Sequence, residues 1–316
     1  MTPVRWGVLG AGWLVNQATA RAIHNASGAA LQATAARDLA RAEATNPVRA
    51  YAAYEQAIAD PDVDAVYVCL TNEAHLPWIL SAVEAGKHVL CEKPLTLTAA
   101  DAARAFTAAH EAGVLLVEAA WTRWHPRMQR VVELAVGGAI GDVEAYLGTF
   151  TYPSVPEGNY RMRPEQGGGA LYDIGVYPLH CLLACLPDVD RLDVEEVQVS
   201  LADTGVDLTT KATLGWGEGT RGGIAASFTM PESQRLVLRG SDAELAIDDD
   251  QAFTSWREPS TLRVGGTVES FPAVDAYELM FAEVSLAIRG EGGWVLPPGD
   301  SIRVAEAVDA IRAAAS

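Results

Sequence analysis

A lysine held between an acid and a proline closes the apolar run HVLCEKPLT, residues 88–96. Lys93 follows a stretch that reads as a buried strand, and Pro94 ends that strand and fixes the backbone. A lysine at the carboxyl end of a parallel strand can donate a hydrogen bond to a substrate hydroxyl or carbonyl. Its charge would also stabilise a nearby alkoxide or phenolate. Glu92 is placed to pair with that ammonium or to orient a ribose. Far along the chain, EQGGGALYDIGVYPLHCLL, residues 165–183, supplies Asp173 and Tyr177, four apart and therefore on one helix face, with His180 three beyond. A carboxylate and a phenol on an otherwise apolar helix are costly unless partnered. Lysine with tyrosine is proton-transfer equipment. No Cys/His set has the spacing of a metal site, so no metal is expected.

A second group of residues has the chemistry of nucleotide binding. In GVLGAGWLV, residues 7–15, Gly10 permits a tight turn and Gly12 lets a pyrophosphate approach the backbone at a helix start. Trp13 and Leu14, which open that helix, are counted with them as cofactor-binding. Val15 takes the third position of the fingerprint. In ATAARDLARA, residues 33–42, Arg37 stands where an NAD-binding acid would grip the ribose 2′-hydroxyl. A guanidinium there pairs with a 2′-phosphate, and Arg41 one turn on adds a second charge. The expected cofactor is therefore NADP, with NAD possible. Asp38 is read as the cap of the following helix. In CLTNEAHLPW, residues 69–78, Thr71 and Asn72 are small hydrogen-bonding residues at the end of a strand, and His75 opens the next helix.

These residues must be positioned by regular elements. The first 120 residues alternate strand and helix, from VRWGVLG through DAVYVCL and HVLCE to VLLVEAAW. DAVYVCL is a nearly continuous apolar run, as expected of a strand covered on both faces. Such alternation predicts a doubly wound parallel sheet of α/β class. After Arg123 the rhythm changes. Pro126 to Val136 reads as a helix, DVEAYLGTFTY as a strand, Gly168 to Leu186 as an apolar helix, and Leu192 to Phe271 as strand after strand. The second region is thus α+β with an open, mostly antiparallel sheet. The expected domains are 1–123 and 124–316, with the C-terminal helix packing back on the first.

Composition limits the partners. Lys and Arg number 23 against 41 Asp and Glu, a net charge of −18. So acidic a surface repels nucleic acid and anionic lipid, so neither is an expected partner. No apolar run spans a bilayer and no secretory signal is read at the start. The four cysteines fit buried thiols in a reducing cytoplasm.

GVLGAG, CLTNEAH, GKHVLCEKPLT, EAAWTRWHP and GGGALYDIGVY together resemble the Gfo/Idh/MocA family of nicotinamide-dependent oxidoreductases over nearly the whole chain. The resemblance implies a Rossmann domain, then an open-sheet domain through which members assemble as homodimers or homotetramers. Arg37 and Tyr177 look most like the NADP-dependent aldose and dihydrodiol dehydrogenases and keto-sugar reductases. The resemblance makes Lys93 and Tyr177 the catalytic pair and Asp173 the orienter of the lysine or substrate. It lines the nicotinamide ribose with Thr71, Asn72, His75 and Glu92, and puts Arg123 near the cofactor. Val15 departs from the family pattern, as does Leu70-Thr71, where many relatives have threonine-proline. The expected reaction is hydride transfer at a secondary or anomeric C–OH of a sugar-like substrate. Tyr177 exchanges the proton, and Lys93 lowers its pKa from about 10. Trp121, Trp124, Tyr160, Arg161 and Arg163 are expected to form the sugar-facing wall. Three rivals are redox-neutral, NAD-dependent glycoside cleavage on the same scaffold, a non-catalytic cofactor sensor and a purely structural subunit, for which no feature speaks.

Overall fold

The computed structural model describes residues 2–156, 158–248, 250–254 and 257–315. The chain forms two compact units. The first comprises Met1–Thr96, Ala100–Trp121 and Asp275–Pro298; the second comprises Leu97–Ala99, Thr122–Val274 and Gly299–Ser316.

In the first unit six strands form one parallel sheet: β1 (Val4–Leu9), β2 (Ala29–Ala35), β3 (Arg49–Tyr51), β4 (Ala65–Val68), β5 (His88–Glu92) and β6 (Leu116–Ala119). Their order is β3-β2-β1-β4-β5-β6, the doubly wound arrangement of the Rossmann fold. Every residue of β4 is buried, and so is all of β5 after His88, because helices cover both faces. The order reverses between β1 and β4, the switch point at which such sheets bind ligands. Cys69 N donates to Leu9 O at 3.0 Å, and Gly10 N to Ala35 O at 2.9 Å. The ends of β1, β2 and β4 are thereby tied together at that point.

The second unit holds eight strands: β7 (Val143–Thr151), β8 (Asp193–Leu201), β9 (Asp207–Gly217), β10 (Thr220–Ser227), β11 (Ser233–Gly240), β12 (Glu244–Ile247), β13 (Ser260–Val264) and β14 (Thr267–Phe271). Their order is β14-β13-β12-β11-β7-β10-β9-β8. All pairs are antiparallel except β7 with β10. Tyr146, Gly148 and Phe150 of β7 face inward, as period-two alternation requires. A Cβ on Gly148 would lie 2.5 Å from Pro178, so this glycine lets the helix Val176–Cys185 rest on the sheet. Tyr146 donates to the Pro178 carbonyl at 2.8 Å, fixing the same contact.

The predicted division at residue 123 needs one correction. The helix that returns to the first unit is Ala276–Ile288, not the last one. Its Phe281 meets the rings of Trp6 and Tyr67 edge-on at 5.1 and 5.2 Å, and Trp6 Nε1 donates to Ser285 Oγ at 3.1 Å. The last helix, Pro298–Ala314, instead places Val304, Ala307, Val308 and Ile311 in the core of the second unit.

Candidate active site

In the first unit the carboxyl ends of β2, β1, β4 and β5 carry candidate groups along one sheet edge. Gly10 has φ +104°, and a Cβ there would lie 2.3 Å from the Cys69 carbonyl oxygen. Only glycine fits this turn. Around Gly12 a Cβ would meet nothing within 4 Å, so the backbone there is open to an approaching ligand. Trp13 beside it is 73% exposed and Leu14 is half-buried. Val15 is buried at the start of a widened π turn, Val15–Thr19, so the third fingerprint position is filled by packing.

Arg37 and Arg41 are both exposed just past β2, where a 2′-phosphate would be met. Both act on the phenol of Tyr54: burial raises its pKa, and the two guanidinium charges oppose that rise. Asp38 does what its position predicts, accepting from Ala40 N at 3.0 Å as the cap of Leu39–Glu43. Open backbone at Gly12 with two arginines beyond β2 suits a phosphorylated dinucleotide.

Beyond β4, Asn72 is buried and the Thr71 hydroxyl donates to Glu73 Oε1 at 2.9 Å. His75 is fully buried. Its Nδ1 lies 2.8 Å from the Pro94 carbonyl and its Nε2 3.3 Å from the Leu70 carbonyl. Burial holds the imidazole pKa below its usual value. A neutral imidazole has one N–H, and the shorter Nδ1–Pro94 distance assigns it to bracing the loop after β5; this and its full burial argue against the expected place on a ribose. Glu92 is buried at the end of β5, with the Tyr67 hydroxyl donating to its Oε1 at 2.6 Å. Burial pushes its carboxyl above the usual range, opposed by the Lys93 charge and the Tyr67 hydrogen bond. Lys93 is half-buried and its peptide bond to Pro94 is cis. Leu95 N donates to Glu118 Oε1 at 3.0 Å, so the loop beyond Lys93 is pinned on both flanks.

The second unit assembles its own group. Gly169 has φ +122°, and a Cβ on it would strike Asp207. The Asp207 carboxylate accepts from Leu171 N at 2.8 Å and Thr210 Oγ1 at 2.7 Å, holding the start of the π turn Leu171–Gly175. Asp173 lies in that turn, buried. Its Oδ2 accepts from Arg161 Nε at 2.6 Å and from the Tyr152 hydroxyl at 3.1 Å. Burial works against the Arg161 charge, but Asp173 holds the guanidinium pKa above its usual value. Arg161 also lies over the Tyr160 ring, 4.8 Å from its centroid. Tyr177 is half-buried, with Phe150 at 5.4 Å and Phe253 at 6.1 Å between ring centroids. Phe150 near the end of β7 and Tyr152 just past it bring Asp173 and Tyr177 to one strand end.

The expected sugar-facing wall is only partly such a surface. Tyr160 is half-buried and Arg163 exposed, with Arg163 Nη2 donating to Gly158 O at 3.2 Å. Glu157, in the same loop, lies outside the described residues. Trp121 and Trp124 are only 3% and 2% exposed. Trp121 stacks on Tyr277 at 5.2 Å, so packing explains both tryptophans better than a substrate surface. Arg123 is buried and donates to Asp300 Oδ2 at 3.1 Å, where the sequence implied cofactor contact. His180 lies buried in the second unit. Sequence reading overlooked Tyr54, Tyr67, Tyr152 and Asp207 as partners. Only Tyr67 carried a signal, a phenol inside an otherwise apolar buried strand.

Residues 4–119 match the model of an oxidoreductase family with an NAD-binding Rossmann fold, and residues 128–246 match the GFO/IDH/MocA C-terminal domain. A D-xylose 1-dehydrogenase (NADP⁺) of Haloferax volcanii is 32% identical over 88% of this chain and 87% of its own. A dTDP-3,4-didehydro-2,6-dideoxy-α-D-glucose 3-reductase of Streptomyces violaceoruber is 38% identical over 83% of this chain and 80% of its own. Among solved structures, a 3-ketoreductase from Actinomadura kijaniata in complex with NADP and TDP-benzene superposes with a TM-score of 0.90. It shares 29% identity, over 99% of this chain and 98% of that one.

Proposed function

The chain belongs to the Gfo/Idh/MocA family of oxidoreductases, and from that premise we propose that it transfers hydride between NADP and a secondary or anomeric C–OH of a sugar-like substrate. One observation carries the reading: the open turn at Gly12, the Arg37–Arg41 pair and Lys93 all lie along one edge of a single parallel sheet. Gly10 and Gly12 would admit the pyrophosphate, and Arg37 and Arg41 would hold the 2′-phosphate. Trp13, Leu14, Thr71, Asn72 and Glu92 would complete this cofactor site. When bound, the nicotinamide supplies the hydride-accepting or hydride-donating carbon.

Lys93 donates a hydrogen bond to the reacting oxygen and offsets negative charge there. Tyr177 takes the hydroxyl proton in oxidation and returns it in reduction. Asp173, held by Arg161 and Tyr152, orients the substrate. Tyr160, Arg161 and Arg163 belong to the loop that sets which sugar is accepted. The relatives named above act on a xylose and on a dTDP-keto-sugar, which favours an aldose, polyol or keto-sugar.

The four free thiols favour a reducing compartment, and the cytoplasm is the proposed location. Among the described residues no helix is long and apolar enough to cross a membrane. The resemblance to this family favours self-association through the eight-stranded sheet, as a homodimer or homotetramer.

The test is a panel of aldoses, inositols and dihydrodiols with NADP⁺ and NAD⁺, followed by absorbance of the reduced nicotinamide. Turnover of a sugar with NADP⁺ preferred is expected. No reduced nicotinamide with any member, or equal use of NAD⁺, would overturn the reading.

A further inference from the structure

Glu92 is a buried carboxylate whose two oxygens face different donors. Oε1 receives the Tyr67 hydroxyl at 2.6 Å and Oε2 faces the backbone amide of Lys93 at 3.3 Å. A carboxylate away from water depends on such donors to stay ionised. Tyr67 is itself fully buried in the middle of the sheet, with its ring edge-on to Phe281. Water is therefore not at hand to replace its hydroxyl. The groups acting on or acted on by Glu92 are Tyr67 and Cys69 at the end of β4, Cys91 and Lys93 on its own strand, and Glu118 on β6, with His75 of the helix after β4 facing Lys93 and Glu118. Tyr277 of the helix Ala276–Ile288 acts on Tyr67 from behind. Lys93 is the single cation of this set, and Glu92 is the acid next to it.

We propose that Tyr67 is a positioning residue for the reaction: its hydroxyl holds Glu92 ionised and in place beside Lys93, so that this carboxylate keeps the lysine charged and oriented. The inference rests on the assignment of Lys93 to the reaction. When Glu92 is protonated, Lys93 loses a neighbouring negative charge and activity falls, so Glu92 sets the acid limb of the pH profile. Without the Tyr67 hydroxyl the anion loses a charge-assisted bond, and Glu92 then protonates at higher pH.

The experiment compares wild type, Tyr67→Phe and Glu92→Gln. One readout is kcat/KM against pH with NADP⁺ and D-xylose. The other is the titration of ¹³C-carboxyl-labelled glutamate by NMR, with Glu92 assigned from the Glu92→Gln spectrum. In Tyr67→Phe the Glu92 resonance and the acid limb should both move up by about one pH unit. Glu92→Gln should lose that limb. The inference is overturned if Tyr67→Phe leaves the Glu92 titration unmoved, or lowers turnover by one factor at every pH. Phenylalanine keeps the ring packing; should that variant not fold, an acid limb persisting in Glu92→Gln overturns the inference by itself. If wild type does not turn over the sugar, the proposed function fails for that substrate, while the NMR titration still decides for or against Tyr67.

Discussion

The Arg161–Asp173 pair yields a prediction whose size follows from its burial. The Asp173 side chain is 6% exposed and the Arg161 side chain 30%. Deleting the guanidinium leaves a carboxylate away from water with the Tyr152 hydroxyl still donating to it. A fully buried pair broken on one side costs about 3–5 kcal/mol. Partial exposure of Arg161 and the Tyr152 bond reduce this, so Arg161→Leu should cost about 2 kcal/mol. For a unit of this size that is a fall in Tm of roughly 4–8 °C. Asp173→Asn should cost only about 1 kcal/mol, because the arginine it leaves behind reaches water. The double variant should be less destabilised than the sum of the two, with a coupling of about 1–2 kcal/mol. Denaturant titration of the four proteins measures it. Additivity within about 0.5 kcal/mol would refute the claim that Arg161 holds Asp173 through their ion pair.

Three further outcomes are expected. Lys93→Met should bind NADP nearly as wild type does by titration calorimetry, while kcat drops about 10²- to 10⁴-fold; unchanged turnover would remove Lys93 from the reaction. Arg37→Ala should weaken NADP about 10- to 100-fold and leave NAD nearly unchanged, since a charge-assisted bond to phosphate is lost only with the former. Burial holds the folded pKa of His75 below its ordinary value of about 6.5, so the unfolded chain takes up the proton more readily. Its contribution to stability is complete above that pH and is lost as pH falls from there toward the folded value. Thermal melts should therefore lose Tm more steeply below pH 6.5 in wild type than in His75→Gln, and parallel slopes would contradict the assignment.

Most of the first sheet was readable because its central strands are buried on both faces and therefore written as apolar runs, with β4 and β5 the clearest; the short edge strand β3, RAY, is largely unburied and carries no such signal. Gly10 was readable too, since its backbone shape excludes a side chain. The mostly antiparallel second sheet was likewise anticipated. What the sequence concealed depends on contacts between distant segments. Nothing local says that Asp173 is met by Tyr152 and Arg161, or that Asp207 holds the start of the Leu171 turn. Trp121 and Trp124 misled because an aromatic beside a candidate site has the same composition whether it faces a sugar or a core. His75 misled similarly: only folding reveals that its ring lies against the carbonyls of Leu70 and Pro94.

The two units are interleaved along the chain, and this governs when each can form. The Rossmann unit completes itself only with Asp275–Pro298, and the sheet unit only with Gly299–Ser316. A nascent chain that has emerged through residue 240 has the partner strands of β7 but lacks the helix that covers Trp6 and Tyr67. The nucleotide half, first to be synthesised, is thus among the last to close, and a fragment cut after residue 123 should be sticky and poorly folded rather than a working cofactor module.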